Sequence, residues 1–252
     1  MPRLDQLLVS QGHARSRTRA QRLIRHGRVR RAIDGKVLTR PGEKCPEELE
    51  LLVEEDPEER YVSRAGLKLE AVLHTLSLDL KDLTVLDVGQ STGGFSDCAL
   101  SFGANHVIGI EVGHGQLDAG LVDDPRITCL EGLNARAMSE DPRLITAIAE
   151  QGPLGAAVMD VSFISQTLIL PEIAALLPSG APLISLVKPQ FEVGPGGVDD
   201  RGLVTDPRRY SEVEQRIRQC CAEFQLDIQH WQDSPILGGD GNREFLLHAQ
   251  RR

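Results

Sequence analysis

Apolar positions recur at helical spacing at the start of the chain, through Leu4, Leu7, Leu8 and Val9, until Gly12 stops them. A second helical pattern begins after Ser16, a suitable N-cap, and runs through Ala20, Leu23 and Ile24 to Gly27, a natural C′ residue. Val29 to Val37, broken by Asp34-Gly35, predicts a short hairpin, and the acidic, proline-containing residues 46–59 read as a linker. From residue 60 the period changes. Thr84–Val88, His106–Glu111, Ala156–Asp160, Leu183–Lys188 and Glu244–His248 are short runs of strand type, with helical patterns at 95–103, 164–177 and 207–224 between them. Alternation of this kind predicts an α/β fold, a doubly wound and mostly parallel sheet over 59–252, preceded by a small α+β domain over 1–58. Ligands of such sheets lie at the carboxyl ends of the strands, where Asp87, Glu111, Asp160 and Lys188 stand.

Composition adds one decisive feature. The chain of 252 residues carries a net charge of −9, but its first 44 residues hold twelve arginines and lysines against three acids. The rest is strongly acidic. A basic module fused to an acidic domain implies a polyanionic partner for the module. On the second predicted helix Arg15, Arg17, Arg19, Arg22 and Arg25 cover the non-apolar faces, and Arg3 and Arg28 flank it. These seven are the candidate phosphate contacts. No stretch approaches the roughly 20 apolar residues of a membrane span, and the N-terminus lacks the apolar block of a secretion signal, so a cytoplasmic location is expected. The five cysteines show neither metal-type spacing nor a disulfide framework, and no metal is expected.

Two groups of residues carry chemistry. Asp87-Val88-Gly89-Gln90-Ser91-Thr92-Gly93-Gly94-Phe95 follows a strand and opens a helix, so its glycines permit a sharp turn and close approach of a ligand. Its spacing is not the G-x-G-x-x-G of a dinucleotide site, which disfavours a nicotinamide oxidoreductase. Glu111, ending the next strand, is placed to hold ribose hydroxyls, so an adenosine ligand without phosphates suits the loop. S-adenosylmethionine is such a ligand. Lys68, Asp160, Lys188 and Glu244 form the second group, two lysines and two carboxylates around one sheet edge.

The motifs have a family resemblance. Arg3-Leu4-Asp5, Ser16-Arg17, Ala20, Leu23-Ile24, Gly27 and Val29 resemble the S4-type RNA-binding domain, although Val29 to Gly35 is longer than that family's usual turn. Val62 to Leu69, the Ser91-to-Phe95 loop, Asp160 to Ser165 and Val187 to Glu192 resemble the TlyA (hemolysin A) family over nearly the whole chain. The resemblance implies a Rossmann-like, S-adenosylmethionine-dependent RNA 2′-O-ribose methyltransferase of FtsJ-like type acting on ribosomal RNA or ribosomal subunits. It carries the family's Lys-Asp-Lys-Glu tetrad onto Lys68, Asp160, Lys188 and Glu244, and a cofactor-side position onto Asn134. Departures are Ala65 for glycine, Glu111 for aspartate and Gln90 for alanine; the long Gln90 side chain is the one with room to obstruct or reshape the pocket. In this reading Lys188 touches the 2′-oxygen, either as base or as electrostatic anchor. Two alternatives remain at this stage, a non-catalytic RNA-binding or ribosome-assembly factor and a membrane-active hemolysin.

Overall fold

The computed structural model describes residues 1–14, 16–54, 56, 59–194 and 196–252, so Arg15 lies outside the described residues. It forms two compact units, Met1–Arg60 and Tyr61–Arg252. In the first, α1 (Leu4–Ser10) and α2 (Arg17–Arg25) pack Leu4, Leu7, Leu8, Ala20, Leu23 and Ile24 into one core with Val29, Leu38 and Leu51. The Ser16 hydroxyl caps α2 by accepting from the Arg19 N–H, and Gly27 leaves the helix at φ +69°.

One expectation for this unit is corrected and one is met. The segment 46–59 is not a free linker: it contains β2 (Leu51–Val53), which pairs antiparallel with β1 (Val29–Arg31). The expected short hairpin forms about Asp34-Gly35: the Arg31 N–H donates to the Lys36 carbonyl and the Leu38 N–H to the Val29 carbonyl around a bridge between Arg30 and Val37, while β2 pairs with the other edge of β1. A three-residue strand needs a partner, and Leu51, buried at 7% exposure, brings its own strand onto the core.

The second unit is built on a seven-stranded sheet in the order β5-β4-β3-β6-β7-β9-β8, with β3 (Thr84–Val88), β4 (His106–Glu111), β5 (Ile127–Glu131), β6 (Leu154–Met159), β7 (Pro182–Val187), β8 (Leu226–Asp233) and β9 (Phe245–Arg251). The first five in that order run parallel; β9 is antiparallel to both β7 and β8. The helices are α3 (Ala65–Leu76), α4 (Gly94–Ser101), α5 (Pro142–Gln151), α6 (Leu170–Leu176) and α7 (Arg208–Glu223). Strand residues alternate between two cores: Leu86, Val88, Ile108 and Met159 join one, Val85, Val107 and Val158 the other. The doubly wound α/β prediction is borne out. The order reverses at β3, which pairs with β4 on one side and β6 on the other, and this switch point opens the crevice for a ligand.

Elements that the periodicity did not reveal have mixed patterns. Every residue of β5 is half-buried, and β8 is mostly polar, so neither alternates cleanly. The helix expected at 164–177 divides into a 3₁₀ turn (Gln166–Leu168) and α6, with Pro171 in the first turn of the latter. Strands β6 and β7 end one residue early and β9 starts one residue late, leaving Asp160, Lys188 and Glu244 just outside the ladder, free to face a site.

Candidate active site

The loop between β3 and α4 turns on three left-handed residues, Gly89 (φ +84°), Ser91 (φ +48°) and Gly93 (φ +90°). At Gly89 only a glycine fits, since a Cβ there would lie 2.6 Å from the Asp160 carbonyl oxygen. At Gly93 it would meet Leu121 Cδ1 at 2.6 Å, and at Gly94 the Ser63 hydroxyl at 2.1 Å. Ser91 and Thr92 are exposed at the crest. The Glu111 carboxylate is fixed by three donors: the Ser91 N–H (2.9 Å) on Oε2, and the Gly113 N–H (2.7 Å) and Gln116 amide (3.3 Å) on Oε1. It therefore braces the same loop that it was expected to serve.

Three expected cofactor residues need correction or refinement. Asp87 is fully buried beneath the loop, where Oδ2 accepts from the Ser96 hydroxyl at 2.6 Å, so it braces the loop. Burial without a cation raises its carboxyl to about 7, against the lowering by Ser96. Phe95 contributes its ring to the core with Leu69, Val72 and Cys98, because the residue after the glycine pair already faces inward on α4. Asn134 is exposed, and its side-chain oxygen accepts from the Arg136 N–H, capping a 3₁₀ turn. Gln90 does not obstruct the crevice: it is buried, packs against Gly109 of β4 and donates to Ser96 at 2.8 Å. The absent Cβ of Gly109 makes the room for it.

The lysines and carboxylates form two ion pairs. Lys68 Nζ on α3 lies 2.6 Å from Glu244 Oε2, with side chains only 10% and 3% exposed. Lys188 Nζ lies 2.7 Å from Asp160 Oδ1 and donates to Ser162 Oγ at 2.8 Å. Topology explains the second pair, since β6 and β7 are parallel neighbours whose carboxyl ends deliver Asp160 and Lys188 together. Val187 pairs with Phe245 across β7 and β9, so Lys188 and Glu244 are the next residues beyond that pair. The reversed direction of β9 therefore brings the start of a strand to the edge where parallel strands end.

Ser162 and Phe163 were missed as individual residues. Phe163 adopts φ +63°, unfavourable for a bulky side chain, and is 90% exposed, with its ring 5.0 Å from that of Phe191. An aromatic ring in water next to Ser162 had no signal in sequence beyond its place in the Asp160 motif. Among the described residues no group of three or more His, Cys, Asp and Glu is arranged to hold a metal ion.

In the N-terminal unit the arginines expected at RNA are engaged by acids. Arg3 and Arg17 bind Asp5, Arg19 and Arg22 share Glu59 at 2.8 and 2.9 Å, and Arg28 pairs with Glu54. Arg25 is exposed and contacts Gln21 alone among the recorded partners. Asp5 is fully buried, and its bond from Arg3, ahead of those from Gln21 and Arg17, holds its carboxyl well below the usual range. The acids at 54 and 59 come from the segment expected to be a linker.

Comparison with known proteins agrees with this geometry. Residues 61–251 match the FtsJ-like methyltransferase family, and residues 2–51 match the S4 domain. YqxC of Bacillus subtilis is 42% identical over 98% of this chain and 84% of its own. The 16S/23S rRNA (cytidine-2′-O)-methyltransferase TlyA of Mycobacterium tuberculosis is 37% identical over 97% of this chain and 88% of its own. A solved Streptococcus thermophilus structure named as a hemolysin superposes with a TM-score of 0.73 and 37% identity, covering 99% of this chain and 88% of that one. No helix among the described residues is long and apolar enough to cross a membrane. With a switch-point crevice, a glycine loop braced by a glutamate, two lysine–carboxylate pairs and an S4 domain ahead of them, this chain belongs to the FtsJ-like methyltransferases, in the TlyA (hemolysin A) family.

Proposed function

We propose that the chain transfers the methyl group of S-adenosylmethionine to a ribose 2′-hydroxyl of ribosomal RNA. The observation that carries this reading is the setting of Lys188. Its ammonium has three donors; it faces the Asp160 carboxylate at 2.7 Å as an ion pair and gives one hydrogen bond to Ser162 Oγ. Donor capacity therefore remains for a substrate oxygen at the mouth of the crevice.

The residues fit the cofactor. Ser91 and Thr92 are exposed on a loop curled by left-handed backbone, and Glu111 Oε2, which accepts only from the Ser91 N–H, retains acceptor capacity for a ribose hydroxyl. Val112, 69% exposed beside Glu111, offers an apolar surface to an adenine ring. Bound there, the cofactor supplies a methyl carbon already activated by its sulfonium sulfur. Lys188 holds the 2′-oxygen in line and meets the charge that develops on it, Asp160 and Ser162 orient Lys188, and the Lys68–Glu244 pair holds the adjoining wall. Phe163 presents a ring face on which the base of the target nucleotide stacks. The arginine face of the N-terminal unit supports phosphate contacts, with Arg25 available as it stands and the paired arginines after exchange of an acid for a phosphate. The substrate class supports a cytoplasmic site of action.

The test is methyl transfer from labelled cofactor to ribosomal RNA, followed by mapping of the modified riboses. Lys188→Ala is expected to slow the single-turnover rate by about 100-fold or more, with cofactor and RNA affinities little changed. Lys188→Arg keeps the charge but cannot give up its proton, so it retains part of the rate if Lys188 is an anchor and loses it if Lys188 is a base. No labelled ribose with the unaltered chain would leave RNA binding without catalysis as the better reading.

A further inference from the structure

Glu192 closes the motif that begins at Lys188, and the mechanism above does not use it. It is 2% exposed. Its two carboxylate oxygens are both taken by the loop that carries Asp160: Oε2 accepts from the Ser165 hydroxyl at 2.6 Å and Oε1 from the Gln166 N–H at 2.8 Å. Its own N–H donates to the Pro189 carbonyl at 2.9 Å, and the Phe191 N–H donates to the Lys188 carbonyl at 3.0 Å, which closes a tight turn directly after the lysine. Arg216 of α7 donates to the Glu192 main-chain oxygen.

A second tie runs on the other side of Lys188. The Gln166 amide donates to the Leu186 carbonyl at 2.5 Å, and its oxygen accepts from the Ser185 hydroxyl at 2.8 Å. Ser185 is fully buried and Gln166 is 2% exposed. The chain on both sides of Lys188, at 185–186 and at 192, is thus fastened to residues 165–166, five and six residues beyond Asp160. Burial raises the Glu192 carboxyl, opposed by the bonds from Ser165 and Gln166 and by the charge of Arg216. A buried carboxyl with no ion-pair partner among the recorded contacts is costly to keep unless its bonds matter.

We infer that Glu192 is a positioning residue for methyl transfer: through Ser165 and Gln166 it fixes the turn bearing Lys188 against the loop bearing Asp160. The inference rests on the reading of Lys188 as the group that meets the 2′-oxygen. Without the clamp, the turn and the loop shift independently, and a displacement of about 1 Å at a reacting group costs on the order of 100-fold in rate. The same clamp seats Phe191 under Phe163.

The experiment uses the full chain in single-turnover methyl transfer to ribosomal RNA, with cofactor and RNA affinities and thermal melting followed in parallel. Glu192→Ala is expected to lower the rate by about 100-fold with both affinities held. Glu192→Gln is expected to restore most of it, because its oxygen accepts from the Gln166 N–H and its amide donates to Ser165 Oγ. In a Lys188→Ala background, Glu192→Ala should cause no further loss, since a group acting through Lys188 has nothing left to position. Ser165→Ala removes one bond of the clamp without a large cavity and decides the matter if Glu192→Ala does not fold; about a 10-fold loss is expected. If Lys188→Ala slows the reaction while Glu192→Ala and Ser165→Ala do not, the inference is overturned and the Lys188 reading stands. A further fall in the double variant, or failure of Glu192→Gln to recover, also overturns it. A normal rate in Lys188→Ala instead removes the reading on which it rests.

Discussion

Glu59 and Glu244 each hold basic side chains, but in different surroundings. Glu59 bridges Arg19 and Arg22 in the N-terminal unit, with the arginine side chains 16% and 27% exposed and its own 14%. Glu244 holds the single ammonium of Lys68, at 10% and 3%. The Glu59 pairs are only somewhat less buried, with two arginines that can turn to solvent, so separation costs less there and a phosphate can replace the acid. Among the described residues neither charge of the Lys68–Glu244 pair has another recorded ionic partner, and separation is opposed by desolvation. The first arrangement suits a surface that exchanges ligands, the second a wall that has to stay in place while another group does chemistry.

The strongest way to break this contrast is Glu244→Ala. It leaves the Lys68 ammonium buried without its counter-charge and is expected to lower stability by about 3–5 kcal/mol in urea unfolding. The pair Lys68→Met with Glu244→Leu should recover most of that stability but not the methylation rate. A loss below about 1 kcal/mol from Glu244→Ala would show that this pair, too, is readily separated.

Asp87 extends the comparison to a buried acid with no cation. Its carboxyl is raised from 3.8 to about 7, so the folded chain holds a proton that the unfolded chain has released. Its contribution to stability is complete below the unfolded value and is lost as pH rises through about 7. Denaturant unfolding at several pH values between these limits should show a declining contribution that Asp87→Asn abolishes; identical pH slopes in the two proteins would contradict it.

Smaller effects are expected where solvent competes. Glu111→Ala should weaken S-adenosylmethionine binding by roughly 1.5–3 kcal/mol in calorimetry, part of it through the loop that Ser91 ties to Glu111. Glu59→Gln should cost less stability than Glu244→Ala and strengthen RNA binding by a few-fold at low salt, as Arg19 and Arg22 lose an internal competitor. A weakened RNA complex would mean that Glu59 orients these arginines instead of competing for them.

Periodicity and the charge distribution made the doubly wound sheet and the basic N-terminal module legible, and the family resemblance singled out Lys68, Asp160, Lys188 and Glu244. These are local signals: a buried parallel strand is a short apolar run, and a loop after it must contain glycine to turn. Short-range pattern could not reveal β5 and β8, whose residues are partly wet and mostly polar, nor β2, which lies in an acidic stretch and exists because Val29–Arg31 pairs with it. The inward turn of Asp87 and Phe95 and the burial of Gln90 against Gly109 depended on which face of the strand or helix each residue occupied. Only the tertiary structure decided how the charges divide. Lys68 pairs with Glu244 across a separation of 176 residues, and Lys188 with Asp160 across parallel strands, because the sheet order and the reversal of β9 bring those ends to one edge.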